Sequence, residues 1–129
     1  MGNSPALLPA LSPANIAVSL KEYWSPIVIS ELEDCYIKVA KLEGSLTWHK
    51  HKNEDELFFI LKGALTIELE GSKVELKEGE LYVVPKGVIH KPVAKHECHV
   101  MLIERKDTAH TGDVTMELTR SIQEQLREF

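Results

Sequence analysis

No stretch of the chain approaches the ~20 consecutive apolar residues a membrane-spanning helix needs, so no membrane association is expected. Basic residues are not in excess either. Fifteen Lys and Arg face twenty Asp and Glu, leaving a formal charge of −5. The two signs are interleaved along the chain without a basic patch, which argues against nucleic acid as a partner. Cysteines number two, Cys35 and Cys98. They form no CxxC and are too few for a disulfide framework. Both lie in apolar-rich text and read as buried reduced thiols, which fits a cytoplasmic location. A phosphate-cradling glycine loop, a dinucleotide fingerprint and a Ser-His-Asp pattern are all missing. So is any strong helical period before residue 117.

A chain of 129 residues, 43% of them hydrophobic, suits one domain with one core. Its opening, "MGNSPALLPALSPAN", has no basic start and carries Pro5, Pro9 and Pro13. It reads as a flexible arm over residues 1–15 rather than an export signal. From residue 16 to 129 the text reads as one domain. Short, β-branched-rich runs at 25–30, 35–42, 45–51, 56–63, 64–71, 73–79, 81–87 and 97–105 predict strands. Glycines 44, 63, 71, 79 and 87 punctuate them. Many short strands with glycine turns imply an all-β sandwich or barrel. The end, "TRSIQEQLREF", predicts one short helix from the spacing of Ile122, Leu126 and Phe129, with Thr119 or Ser121 as its cap.

The most chemically dense stretch is "WHKHKNEDELFF" at 48–59. On a strand, His49 and His51 would share one face and Leu46 and Trp48 the other. In the next strand Glu56, Phe58 and Ile60 would share a face. His90 follows the turn "PKG". A lone His-x-His is usually solvated. Three imidazoles and one carboxylate together make an N/O donor set suited to a first-row ion.

These residues also carry a resemblance. Gly44, then His49 and His51, four residues, Glu56, six residues and Gly63 form one motif. Gly79, five residues, Pro85, Gly87, two residues and His90 form a second. In this order the two resemble the motifs of the cupin superfamily, in its small single-domain bacterial form, over residues 30–105. Two departures stand out: only four residues separate Gly44 from His49, and Ala94 stands where the second motif often has Asn. The resemblance implies a cupin-type jelly roll of two antiparallel sheets. It also implies one divalent transition metal ion per chain, held by His49, His51, Glu56 and His90. Glu54 is the competing carboxylate, but Glu56 fits the spacing to Gly63 better. Fe, Mn, Zn, Ni, Co and Cu all suit this donor set.

Four protein ligands on an octahedral ion would leave two positions open, as catalytic sites do and structural sites do not. The expectation is a metal-dependent enzyme acting on a small organic molecule, by oxygenase or isomerase/lyase chemistry. A non-catalytic small-ligand or sugar sensor is the alternative. Phe58 and Ile60 are the expected pocket walls. Tyr36 and Met101 are further pocket candidates, although the face of Tyr36 and Lys38 is left open. His99 is a weak acid/base candidate, while His96 and His110 read as exposed loop residues. The strand "LFFIL" is apolar on both faces, so its outer face needs covering. A homodimer is expected on that ground and from the resemblance.

Overall fold

The computed structural model describes residues 7–129. A short helix α1 (Pro13–Ser19) precedes seven strands: β1 (Ile27–Leu32), β2 (Cys35–Ser45), β3 (Glu56–Lys62), β4 (Ala64–Leu69), β5 (Ser72–Lys77), β6 (Leu81–Val84) and β7 (His90–Arg105). A one-turn helix α2 (Ile122–Gln125) closes the series. All ladders are antiparallel. Strands run in the order β1-β2-β7-β3-β6, and β4 and β5 branch from β7.

The architecture turns on β7. Its first residues pair with β4, from Thr66↔Val93 to Leu69↔His90. Its last residues pair with β3, from Lys62↔His99 to Glu56↔Glu104. Strand β2 runs along its other side, with a register shift between Leu42 and Gly44. One long strand therefore belongs to both halves of a sandwich. The chain passes between those halves at Gly63, which links β3 to β4. A Cβ there would stand 2.9 Å from the Glu97 carbonyl oxygen, and Gly63 has a φ of +82°. Only glycine meets both demands without strain.

Inward-facing residues from both halves form the main core, including Ala40, Phe58, Ile60, Leu65, Ile67 and Val100. Each of the larger ones contributes roughly 1.5–3 kcal/mol by leaving water. Cys98 and Ala94 are fully buried in the same core. The small Ala94 side chain is thus accommodated by packing where the motif's usual polar residue would need partners. Cys98 is buried as expected, but Cys35 is only half-buried; neither forms a disulfide.

A second cluster lies on the outer face, where Ala17 of α1 packs with Ile27, Ile29 and Val39, and with Leu61 and Met101 at its edge. Here the expectations need correction. Of the arm expected over 1–15, residues 1–6 lie outside the described residues, and Pro13–Asn15 already belong to α1. Ser12 caps this helix by accepting from the Asn15 N–H at 3.2 Å, and Pro13 takes the first helical position, which suits a residue lacking an N–H. Seven residues are too few for a clear hydrophobic period, which hid the helix. The strand expected at 45–51 is also missing. Ser45 closes β2, and beyond it the segment makes only a single bridge, His49↔His90. The expected alternation fails with it: Leu46 is buried while Trp48 is 40% exposed.

From Lys106 onward the chain returns across the end of the barrel that carries the histidines. Lys50 N–H donates to Asp113 Oδ1, and Asp113 N–H donates to the Lys50 carbonyl, both at 3.2 Å. Arg127 donates to the Ser25 and Pro26 carbonyls. The expected C-terminal helix shrinks to α2, held by a reciprocal capping box between Ser121 and Glu124. Gly112 is the closest approach of this segment: an added Cβ would overlap the Lys50 carbonyl and lie 3.2 Å from His49 Cδ2. Gly79 shares a positive φ but has open space around it. In chemical denaturation Gly112→Ala is expected to cost about 1–3 kcal/mol more than Gly79→Ala. Equal losses would show that the segment is not packed as described.

Candidate metal centre

His49 and His90 are brought together by main-chain bonds. The N–H of His49 donates to the His90 carbonyl at 3.0 Å, and the N–H of His90 donates back at 2.9 Å. The Gly87 N–H donates to the His51 carbonyl at 2.8 Å. The two sequence motifs are thus clamped directly to each other. Glu56 reaches the same point from the first position of β3, on the inner face with Phe58 and Ile60. Ligand atoms of His49, His51, Glu56 and His90 all lie within 4.8 Å of one another, and all four residues are buried. Glu54 stays outside the cluster, its carboxylate accepting from the Asn53 N–H.

The ring orientations follow from two backbone carbonyls. His49 Nδ1 lies 2.8 Å from the Thr47 carbonyl oxygen, and His90 Nδ1 lies 2.9 Å from that of Val88. A carbonyl can only accept, so each Nδ1 carries the proton and each Nε2 presents a lone pair. His51 Nε2 and His90 Nε2 are buried and lack a hydrogen-bond partner. Both stand 3.4 Å from one oxygen of Glu56 without forming a hydrogen bond to it. Buried polar atoms are seldom left this way. Two unpartnered ring nitrogens converging beside a carboxylate are the arrangement that a cation completes, so the residues fit a metal ion.

Charge in the cup is uneven. Burial pushes the Glu56 carboxyl up, but the facing His51 and His90 rings outweigh it and hold the group well below the usual range. Burial drives His49 down to about 4, keeping that ring neutral. Burial also opposes charge on His51, but the Glu56 carboxylate turns its net shift upward. Behind Glu56 sits Glu104, its cross-strand neighbour, pushed well above the usual range by burial and by Glu56. Lys38 Nζ lies 2.8 Å from Glu104 Oε1 and donates to Gln125 Oε1 at 2.5 Å. Lys38 and Gln125 are both fully buried.

A narrow cavity of about 30 Å³ opens beside the cluster. Its walls are Trp24, Pro26, Ala40, Leu42, Leu46, Phe58, Pro92, Val100 and Leu102, with His49, Glu56 and His110 as the polar members. Of the expected pocket residues, Phe58 is in the wall. Ile60 is fully buried in the core behind it. Tyr36 lies outside the cavity, half-buried at the strand end with Lys106 Nζ 5.4 Å from its ring centroid. Met101 is on the opposite face, packed with the α1 cluster. His99 shares that outer face and pairs with Glu97 at 2.9 Å, so it cannot act at the site. The reason is parity: inward positions on β7 are 98, 100, 102 and 104. His110, read as exposed, instead lines the cavity, and burial lowers it to about 4.

The family model described as the Cupin domain matches residues 36–104. The chain belongs to the cupin family. A cupin-2 domain protein of Shewanella frigidimarina has a solved structure that is 41% identical to this cupin, with a TM-score of 0.72, covering 74% of this chain and 93% of that one. The YdbB protein of Bacillus subtilis is 35% identical over 77 residues, 59% of this chain and 68% of its own. The pectin degradation protein KdgF of Dickeya dadantii is 32% identical over 56 residues, 43% of this chain and 51% of its own.

Lys38 supplies the positive charge behind the cup. Lys38→Met would leave Glu104 and Gln125 without their partner, an expected loss of roughly 3 kcal/mol. The double change Lys38→Met with Glu104→Leu should be milder than the single one. Urea titration of both variants measures this, and a double variant as weak as the sum of its parts would contradict the pairing.

Proposed function

We propose that this cupin is a metal-dependent enzyme acting on a small organic molecule, by oxygenase or isomerase/lyase chemistry. The observation that carries the reading is the pair of orphaned Nε2 atoms facing Glu56. One divalent ion at His49, His51, Glu56 and His90 would leave coordination positions open to the cavity, the mark of a catalytic rather than a structural site. Bound there, the ion would polarise a substrate oxygen as a Lewis acid or, if redox-active, exchange electrons. The chain's own part is to hold the rings by the Thr47 and Val88 carbonyls and to offset one unit of charge through Glu56. The apolar walls keep water away and strengthen every charge interaction inside. The likeness to KdgF, a pectin degradation protein by name, supports an enzymatic reading over a sensor.

Elemental analysis of protein purified without an affinity-tag metal should find close to one ion per chain. His49→Ala and His90→Ala should each lose it while keeping the far-ultraviolet dichroism of a β protein. Metal-free protein under replete conditions would end this reading.

We also propose a homodimer. Leu57 and Phe59 on β3 face outward, paired with Val83 and Leu81 on the edge strand β6. Val83 is 40% and Leu81 56% exposed. α1 covers the outer sheet at Leu61 and Met101, which leaves this neighbouring apolar patch for a second copy. Light scattering should give twice the chain mass, and Val83→Lys should shift it towards the monomer. A monomer at all concentrations would remove the proposal.

A further inference from the structure

Resting on the metal-site reading above, we propose that residues 106–129 form a lid over the metal cup, hinged where β7 ends, and that an organic substrate reaches the cup only when this segment lifts. Room at the site is the first argument. His49, His51, Glu56 and His90 are each 5% exposed or less. The cavity beside them measures about 30 Å³. That is space for roughly two water molecules, whereas a benzene-sized molecule needs about 150 Å³. Some part of the enclosure has to move before a small organic molecule can touch the cup.

The barrel is a poor candidate for that movement. Glu56, His90 and the walls from β2, β3 and β7 sit in antiparallel ladders, which open only with the fold. The C-terminal segment is different. Among the described residues no strand follows Arg105. The segment closes the cup at two points. A Cβ added to Gly112 would stand 3.2 Å from His49 Cδ2, and His110 joins His49 and Glu56 in the cavity lining. Little apolar surface holds it there. Its fully buried side chains are Thr108, Thr111 and Gln125, while Met116 and Leu118 are only partly buried against the main core. The Thr108 hydroxyl is buried without a partner, a penalty that lifting relieves.

The segment is also bonded to itself. The Thr111 and Thr119 hydroxyls lie 2.7 Å apart, the Met116 N–H donates to Thr119 Oγ1 at 2.9 Å, and the Arg120 N–H donates to His110 Nδ1 at 2.9 Å. Gln125 Nε2 donates to the Arg120 carbonyl at 3.0 Å. These bonds let it swing as one body. Its ties to the rest of the chain are discrete. The Lys106 N–H donates to the Asp34 carbonyl at 2.9 Å and marks the hinge. Asp113 exchanges two bonds with the Lys50 backbone, Lys38 donates to Gln125, and Arg127 donates to the Ser25 and Pro26 carbonyls. Arg120 stands 3.7 Å from the exposed Glu22 carboxylate, a pair that contributes little. A surface groove of about 190 Å³ follows the seam that parts. Lys50 and His51 line it from the barrel, and Asp107, Ala109, Gly112 and Asp113 from the segment. Arg127 and Asp113 are the latches.

The test measures how fast a reagent of substrate size reaches the buried rings. The full chain, dialysed free of metal, is treated with diethyl pyrocarbonate, and acylation of each histidine is followed by peptide mass spectrometry. Exposed His96 is the internal reference. In the unaltered chain His51 and His90 should react roughly tenfold or more slowly than His96. Arg127→Ala and Asp113→Ala should each raise those rates roughly threefold or more and leave His96 unchanged. The rates should also climb with urea far less steeply than global unfolding followed by tryptophan fluorescence. Should Arg127→Ala not fold, Asp113→Ala, a change at an exposed residue, carries the comparison. His51 or His90 reacting as fast as His96, rates that neither folded variant raises, or a urea slope equal to that of global unfolding would overturn the proposal. Metal uptake is measured on separate samples. A chain that takes up no ion would strike at the metal reading and leave these rates as they are.

Discussion

Two hydrogen bonds between the main chains of His49 and His90 hold the functional end of this molecule together. They join segments forty-one residues apart in sequence. Side-chain placement follows from them. Once the two backbones exchange N–H···O bonds, the rings stand with centroids 4.4 Å apart, and the Thr47 and Val88 carbonyls fix which nitrogen each presents. Glu56 needs no such bridge, because β3 is already laid along β7. The cup is thus a consequence of strand registry at Glu56 and His90 plus an irregular segment, carrying His49 and His51, that one isolated bridge ties to His90.

That placement concentrates charge where water is scarce. Glu56 lies directly across from Glu104, and Lys38, opposite Leu102, reaches Glu104 diagonally with its ammonium. Buried charges of this kind rarely add net stability over apolar residues, but breaking one is costly. The arrangement makes sense as a polarity gradient. Glu56 keeps its negative charge for the cluster, while Glu104, pushed up by burial and by Glu56, takes the proton more readily. Lys38 and Gln125 close the far end.

Much of this was legible in the one-dimensional text, for a physical reason. Strands with a buried face write their parity as alternation, and glycine turns mark where they end, so seven of the expected strands correspond to observed ones. The four clustered residues were legible because a His-x-His pair, a carboxylate and a remote histidine at motif spacing are conspicuous. What escaped detection lacks such a signature. The segment 45–51 satisfies its backbone through several partners, among them Pro92, His90, Asp113 and Gly87, and no local pattern encodes that. His99 and Met101 were misplaced because β7 is buried on both faces here, so hydrophobicity does not say which is inward. Lys38 and Glu104 share parity with Ala40 and Leu102, yet a charged residue at such a position reads equally as a strand end. His110 and Gln125 sit in short, irregular structure whose position depends on contacts distant in sequence.

Some of the residues that were hardest to read lie outside the family match. The family match spans 36–104, which contains the four clustered residues and most of the barrel. Trp24, Pro26, His110 and Gln125 all lie outside it. The matched core therefore supplies the donors and most of the cavity walls, while the flanking segments add Trp24, Pro26 and His110 to the lining. A relative that matches only within the core leaves Trp24, Pro26 and His110 out of the comparison. The lining is completed only where residues 24–26 and His110 fold back onto the barrel.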